Sequence, residues 1–214
     1  MATLGDMQDR ISAEMGRAEL SSSGADALKS KNAILDAIKG FKNWRFRFNE
    51  LSKSLSTVIG TTDYTTSNGL PDGIIEIDEM TIVYSGARYP LEEVTAADYA
   101  EMNGSNPLTS GVPTYYTWYG DTLRLYPSPD QIYVLTILAH CELLPALSAS
   151  SDTNAWTNQG ELLIRHTAKA DLGGNVLRDP QAAAMSQASA ELALNSLRRE
   201  YEARAFTGRI DPHD

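Results

Sequence analysis

The sequence predicts an α+β protein, a helical bundle made by both ends of the chain with an antiparallel β region inserted between them. Two changes of period carry this prediction. Apolar residues recur at helical spacing up to about residue 43, alternate with a period of two from Trp44, and return to helical spacing after Trp156. Order is the third observation: helices, then strands, then helices argue against an interleaved parallel sheet. The implied boundaries are 1–43 with 157–206 for the bundle, 44–145 for the β insertion, and a flexible C-terminal tail at 207–214.

Leu4, Met7, Ile11 and Ala18 share one helical face, and Thr3 with Asp6 forms a capping pair, so the first helix is expected from about Leu4 to Leu20. Ser21, Ser22, Ser23 and Gly24 break it. Ser23 with Asp26 then starts a second helix carrying Leu28, Ile34, Leu35, Ile38 and Phe41. From Trp44 the pattern is that of a strand, with Trp44, Phe46 and Phe48 on one face and Arg45, Arg47 and Asn49 on the other. Leu70-Pro71-Asp72-Gly73 is turn chemistry. In the strand after it, Ile75 and Ile77 are out of phase with Met80, Ile82 and Tyr84, which a bulge near Asp78 and Glu79 reconciles.

Thr95 and Asp98 can cap a short helix ending at Gly104. Thr114 to Tyr119 and Thr122 to Tyr126 read as a hairpin around Gly120-Asp121, with glycine at the first central position. Ile132 to Cys141 is apolar in both phases, which predicts a central strand covered on both faces. Two closing helices are expected over Gly160 to Leu177, with Gly173-Gly174 a point of fraying or kinking, and over Pro180 to Phe206, where Asp179 precedes a proline at the first helical position.

The composition is that of a folded globular chain: 214 residues, 42% hydrophobic and 21% charged. Lys plus Arg number 18 against 28 Asp plus Glu, a formal net charge of -10. That balance disfavours a broad phosphate-gripping surface, because nucleic-acid affinity comes mainly from cations that displace counterions. The single cysteine, Cys141, excludes an internal disulfide and points to synthesis in a reducing compartment. The longest apolar run, about Ile132 to Ala139, is far short of a membrane span. Asp6, Asp9 and Arg10 stand where a signal peptide would be apolar, so the chain is read as cytoplasmic when made.

No catalytic, cofactor-binding or metal-binding constellation emerges. His140 and Cys141 are adjacent, but neighbours in a strand point to opposite faces. His166 and His213 have no second nitrogen or sulfur ligand at metal spacing. Asp152 and Asn154 fit loop capping better than a calcium loop. Glu76, Asp78, Glu79, Glu92 and Glu93 read as solvent-facing strand ends. No glycine-rich loop leads into a Lys-Ser or Lys-Thr pair. Tyr115, Tyr116, Trp118 and Tyr119 could stack a base or a sugar, yet with few cations nearby core packing and subunit contact are the better reading.

Three pieces of the chain together resemble the head-to-tail adaptor proteins of short-tailed bacteriophages. They are Ile34-Leu35-Asp36-Ala37-Ile38 followed by Arg45-Phe46-Arg47-Phe48-Asn49-Glu50; Gly111-Val112-Pro113-Thr114-Tyr115-Tyr116 with the run Gly120 to Asp130 and Tyr133; and Leu147-Ser148 with Asp152-Thr153-Asn154-Ala155-Trp156. In order they span about Leu4 to Tyr201. The resemblance implies a non-enzymatic virion protein at the head–tail junction, made in the host cytoplasm. Similar proteins form twelvefold rings docked between the portal and the tail tube or nozzle, with DNA passing without specific binding, and some anchor tail fibres.

The closing helix and tail are the expected portal contact. Phe206 and Ile210 would be its apolar anchors, with Arg198, Arg199, Arg204 and Arg209 around them. The competing reading is a carbohydrate- or peptide-binding β module on a helical support, for which the Tyr and Trp cluster is the motive.

Overall fold

A computed structural model describes residues 1–105, 109–143 and 146–207. The protein is mixed α+β and divides into two compact units, Met1–Asn49 with the chain from Leu143 onward, and Glu50–Glu142.

In the first unit α1 (Leu4–Met15) starts on a capping box: Thr3 Oγ1 accepts from the Asp6 amide at 3.1 Å, and Asp6 Oδ2 accepts from the Thr3 amide at 2.9 Å. These bonds favour the ionised carboxyl and hold Asp6 below the usual carboxylate range. The helix stops at Met15, short of the expected Leu20. Gly16 turns left-handed at φ 63° and its amide caps back onto Ser12 and Ala13, leaving Ala18–Leu20 as a separate 3₁₀ turn. The second helix, α2 (Ala27–Phe41), has Asp26 rather than Ser23 at its cap position, and the Asp26 carboxylate pairs with Lys29 at 3.0 Å.

The strand expected from Trp44 is absent, and the β region begins at Glu50 instead. Residues 47–49 form a turn held by one side chain: Asn49 Oδ1 accepts from the Phe46 amide and Asn49 Nδ2 donates to the Trp44 carbonyl, both at 2.7 Å. Phe46 and Phe48 stack at 5.2 Å, and Trp156 meets their rings edge-on at 5.7 and 5.0 Å. Alternating aromatics therefore arose from a turn that tucks two rings into one core, a placement with no strand period behind it.

The later part of this unit holds α4 (Ala155–Asn158), α5 (Glu161–Asp171), a π-helical turn at Leu172–Val176 and α6 (Pro180–Thr207); α3 lies in the other unit, at Ala96–Ser105. The π turn falls on the two glycines. A Cβ on Gly173 would sit 3.1 Å from the Ala183 nitrogen, so a side chain there would require α6 to give by a few tenths of an ångström. Asp179 Oδ1 caps α6 by accepting from the amides of Gln181 and Ala182 at 3.1 and 3.0 Å. One core joins Leu4, Met7, Ile11, Ile34 and Phe46 to Trp156, Leu163, Ile164 and Leu172.

The second unit contains β1 (Glu50–Ser56), β2 (Asp63–Tyr64), β3 (Ile74–Tyr84), β4 (Ala87–Pro90), β5 (Glu92–Glu93), β6 (Ser110–Gly111), β7 (Tyr115–Tyr119), β8 (Thr122–Tyr126), β9 (Ser128–Pro129) and β10 (Val134–Cys141). One sheet is ordered β1-β10-β3-β4, a second β2-β8-β7-β5, and β6 pairs with β9. The long pairings are antiparallel; the two-residue contacts β5–β7 and β6–β9 are parallel. The bulge lies where the phase change placed it, since Leu138 pairs with Glu79 and Ala139 with Ile77, leaving Asp78 over. In the hairpin both Gly120 and Asp121 are left-handed, at φ 59° and 56°, which is the I′ type.

β10 is central, but the expectation that both its faces are covered needs correction. Leu135, Ile137, Ala139 and Cys141 point into a core shared with Tyr64, Tyr116, Leu123 and Leu125, whereas Val134 and Leu138 are 47% and 42% exposed. Only one face of this sheet is packed within its unit.

Trp156→Ala would leave Phe46 and Phe48 facing a large cavity. The expected loss is about 3–5 kcal/mol, read as a lower denaturant midpoint with an unchanged slope.

Candidate interaction surfaces

Helix α6 is 28 residues long, about 42 Å, whereas α5 and the π turn have 11 and 5 residues, about 24 Å together. A tight turn between Val176 and Pro180 returns the chain against α5, and Gly173 meets Ala183, so α6 runs antiparallel and about 18 Å farther than its partner. Ser186 and Ala190 are buried on its inner side, with Ala193, Leu194 and Leu197 against the core, while Met185 and Leu192 are exposed.

The expected portal-contact residues separate along this helix. Arg198 lies 4.4 Å over the Trp44 ring, which in turn meets Phe41 edge-on at 5.8 Å, so this guanidinium pins α6 to the end of α2. Arg199 is exposed. Arg204 and Phe206 fall on the last turns of α6, and Arg209, Ile210 and the tail after Thr207 lie outside the described residues, as does His213.

A chain of ion pairs ties α1 to α5. Arg10 reaches Glu161 at 3.2 Å, Glu161 lies 3.0 Å from Arg165 Nε, Arg165 pairs with Glu14, and Glu14 accepts from Lys169 at 2.8 Å. The Arg165 Nε contact is an ion pair without hydrogen-bond alignment, since that atom is buried and lacks a hydrogen-bond partner. Beside this chain lies a groove of about 500 Å³ lined by His166, Lys169, Leu177, Met185 and others. Burial, then the cations Lys169 and Arg165, push the His166 imidazole down, and its buried Nδ1 has no partner. No sequence spacing reveals this network, because α1 and α5 are some 150 positions apart; only the Glu161–Arg165 pair at i,i+4 was legible.

The remaining candidates have structural surroundings. Cys141 is buried, its Sγ donates weakly to the Ala139 carbonyl at 3.6 Å, and burial pushes the thiol up, away from the nucleophilic thiolate. Asp152 Oδ2 accepts from the Ser148 and Ala149 amides, both at 2.7 Å, and Asn154 caps α4. Among the described residues no group of three or more His, Cys, Asp or Glu is placed to hold a metal ion. No described helix is long and apolar enough to cross a membrane.

The aromatic cluster divides. Tyr116 is buried, its phenol pushed up to about 12 by burial and by the carboxylates of Glu93, Asp78 and Glu79. Trp118 Nε1 donates to the Ile75 carbonyl at 3.3 Å, and Tyr119 is exposed. Along β7 Tyr116 and Trp118 share one face and Tyr115 and Tyr119 the other, where Tyr126 pairs with Tyr115.

The SU10 adaptor protein family matches residues 2–212. The chain belongs to this family. The match covers both units, and the family is one of bacteriophage structural proteins, adaptors of the head–tail junction. No curated protein matches the chain.

Glu14→Gln weakens the bonds to Arg165 and Lys169 together. The expected loss is about 1–3 kcal/mol, measured by chemical denaturation. His166 sits below its usual 6.5 when folded, so protons bind the unfolded chain more readily and stability falls as pH drops through about that value. His166→Gln is expected to flatten this part of the stability–pH curve.

Proposed function

We propose that this adaptor is a non-enzymatic subunit of a ring, twelvefold as in similar proteins, that joins the portal to the tail tube or nozzle and surrounds the path of DNA. Its family membership across residues 2–212 is the observation that carries this reading. A helical bundle built by both chain ends would be the platform, with the β unit inserted in it. The outer side of the ring is where tail fibres would attach. A chain of net charge -10 suits a passage that DNA must slide through, because each fixed cation facing the lumen would act as a brake. Isolated subunits are monomeric or weakly associated, and the portal holds them in register.

Docking to the portal is assigned to the final turns of α6 and the tail. The length of α6 beyond α5 supports this, since a long helix presents its last turns away from the core that holds its first ones. Phe206 and Ile210 are the apolar anchors, and Arg199, Arg204 and Arg209 set register around them. Arg198 acts indirectly, by fixing the direction of α6 through Trp44.

Removal of residues 207–214, and separately Phe206→Ala with Ile210→Ala, is expected to abolish co-sedimentation with portal rings while leaving the melting temperature unchanged. Full-strength docking by both variants would end this assignment.

A further inference from the structure

The net charge is not spread over the molecule. The β unit, Glu50–Glu142, contains 3 of the chain's 18 Lys and Arg and 13 of its 28 Asp and Glu. Its own charge is therefore the whole -10, and the rest of the chain is balanced at 15 of each sign. Within that balanced part the cations gather at one corner. Lys39, Lys42, Arg45 and Arg47 fall within nine residues around Trp44, Lys39 being paired with Asp36 at 2.9 Å, and Arg198 is brought over the same ring.

The acidic unit also bears an uncovered sheet face. Val134 pairs with Val83 on β3 and with Ser56 at the end of β1, beyond which the Thr57 amide donates to the Tyr133 carbonyl at 2.8 Å and the Tyr133 amide to Thr57 Oγ1 at 2.7 Å. Val58, Val83, Ile132, Val134 and Leu138 are between 37% and 68% exposed. Glu79 stands beside Leu138 in the register. The aliphatic side chains stand on either side of a polar middle, Thr136 with Thr81 and Ser54, and Glu79 marks one end while Arg88 pairs beside Val83 at the other.

We propose that the outer face of the β1-β10-β3-β4 sheet is the seat for the basic Trp44 corner of a second copy of this chain. This rests on the ring reading above. Charge decides the occupant: two β units brought face to face would set 13 acids with 3 cations against the same set again, whereas the basic corner offers the opposite sign. A contact between two different patches is heterologous, and such contacts repeat head to tail until they close into a ring, instead of stopping at a twofold dimer.

Sedimentation velocity on the full chain tests this. The wild type is expected to self-associate at about 20 mM salt and to be monomeric at about 300 mM, where the screening length is shorter. Lys42→Glu with Arg47→Glu removes the corner, and Glu79→Lys with Val134→Lys removes the seat. Each variant alone is expected to be monomeric, with the wild-type melting temperature as the check on folding. An equimolar mixture is expected to form dimers and nothing larger, since each variant keeps one intact half. A mixture that stays monomeric, a variant that still associates alone, or association that persists at high salt would overturn the proposal. Portal co-sedimentation of the wild type tests the adaptor reading separately, and its failure would leave the self-association result standing.

Discussion

Phe46 and Phe48 lie face to face, and Trp156 closes over the edges of both. These three rings join segments more than a hundred residues apart, so the helical unit cannot be assembled from either chain end alone. Three aromatics with centroids 5.0 to 5.7 Å apart bury a large apolar area while each keeps a favourable edge or face contact. The turn that presents the two phenylalanines is held by Asn49, whose amide satisfies backbone groups at Trp44 and Phe46. Remove that polar support and the aromatic clasp loses its geometry, even though no aromatic atom has changed.

Around this clasp the helices differ in what fixes them. α1 is capped at its start by Thr3 and Asp6 and tied laterally to α5 through Glu14, Arg165, Lys169 and Glu161. Those charges are mostly withdrawn from water, and their mutual pairing is what makes that burial tolerable. α6 is fixed at its near end by the glycine contact with the π turn and farther along by Arg198 on Trp44. These two contacts, at Ala183 and at Arg198, lie some fifteen residues apart along the helix.

The β unit carries another kind of asymmetry. Its second sheet covers one face of the first, and the opposite face keeps several aliphatic side chains in water. The full negative charge is concentrated in the same unit. The same charge sets DNA and a second β unit at a like-sign disadvantage against this surface.

The mixed α+β class, the cap at Thr3, the bulge at Asp78, the hairpin at Gly120-Asp121 and the start of α6 at Asp179 were legible in the sequence, because each is set by neighbours a few residues away. The proposed portal contact rests on residues read from the sequence, whereas the placing of Arg198 over Trp44 depends on a fold that brings positions 44 and 198 together. The same holds for the ion pairs of Glu14. The strand read at Trp44 to Asn49 and the two-sided burial of β10 failed for a related reason. Alternation records which side chains leave water, and a turn packed under a distant tryptophan leaves the same trace as a strand, while an exposed aliphatic face reads like a buried one. Local hydrogen-bonding chemistry is written in the order of residues; which apolar surface meets which is decided only when distant segments close on one another.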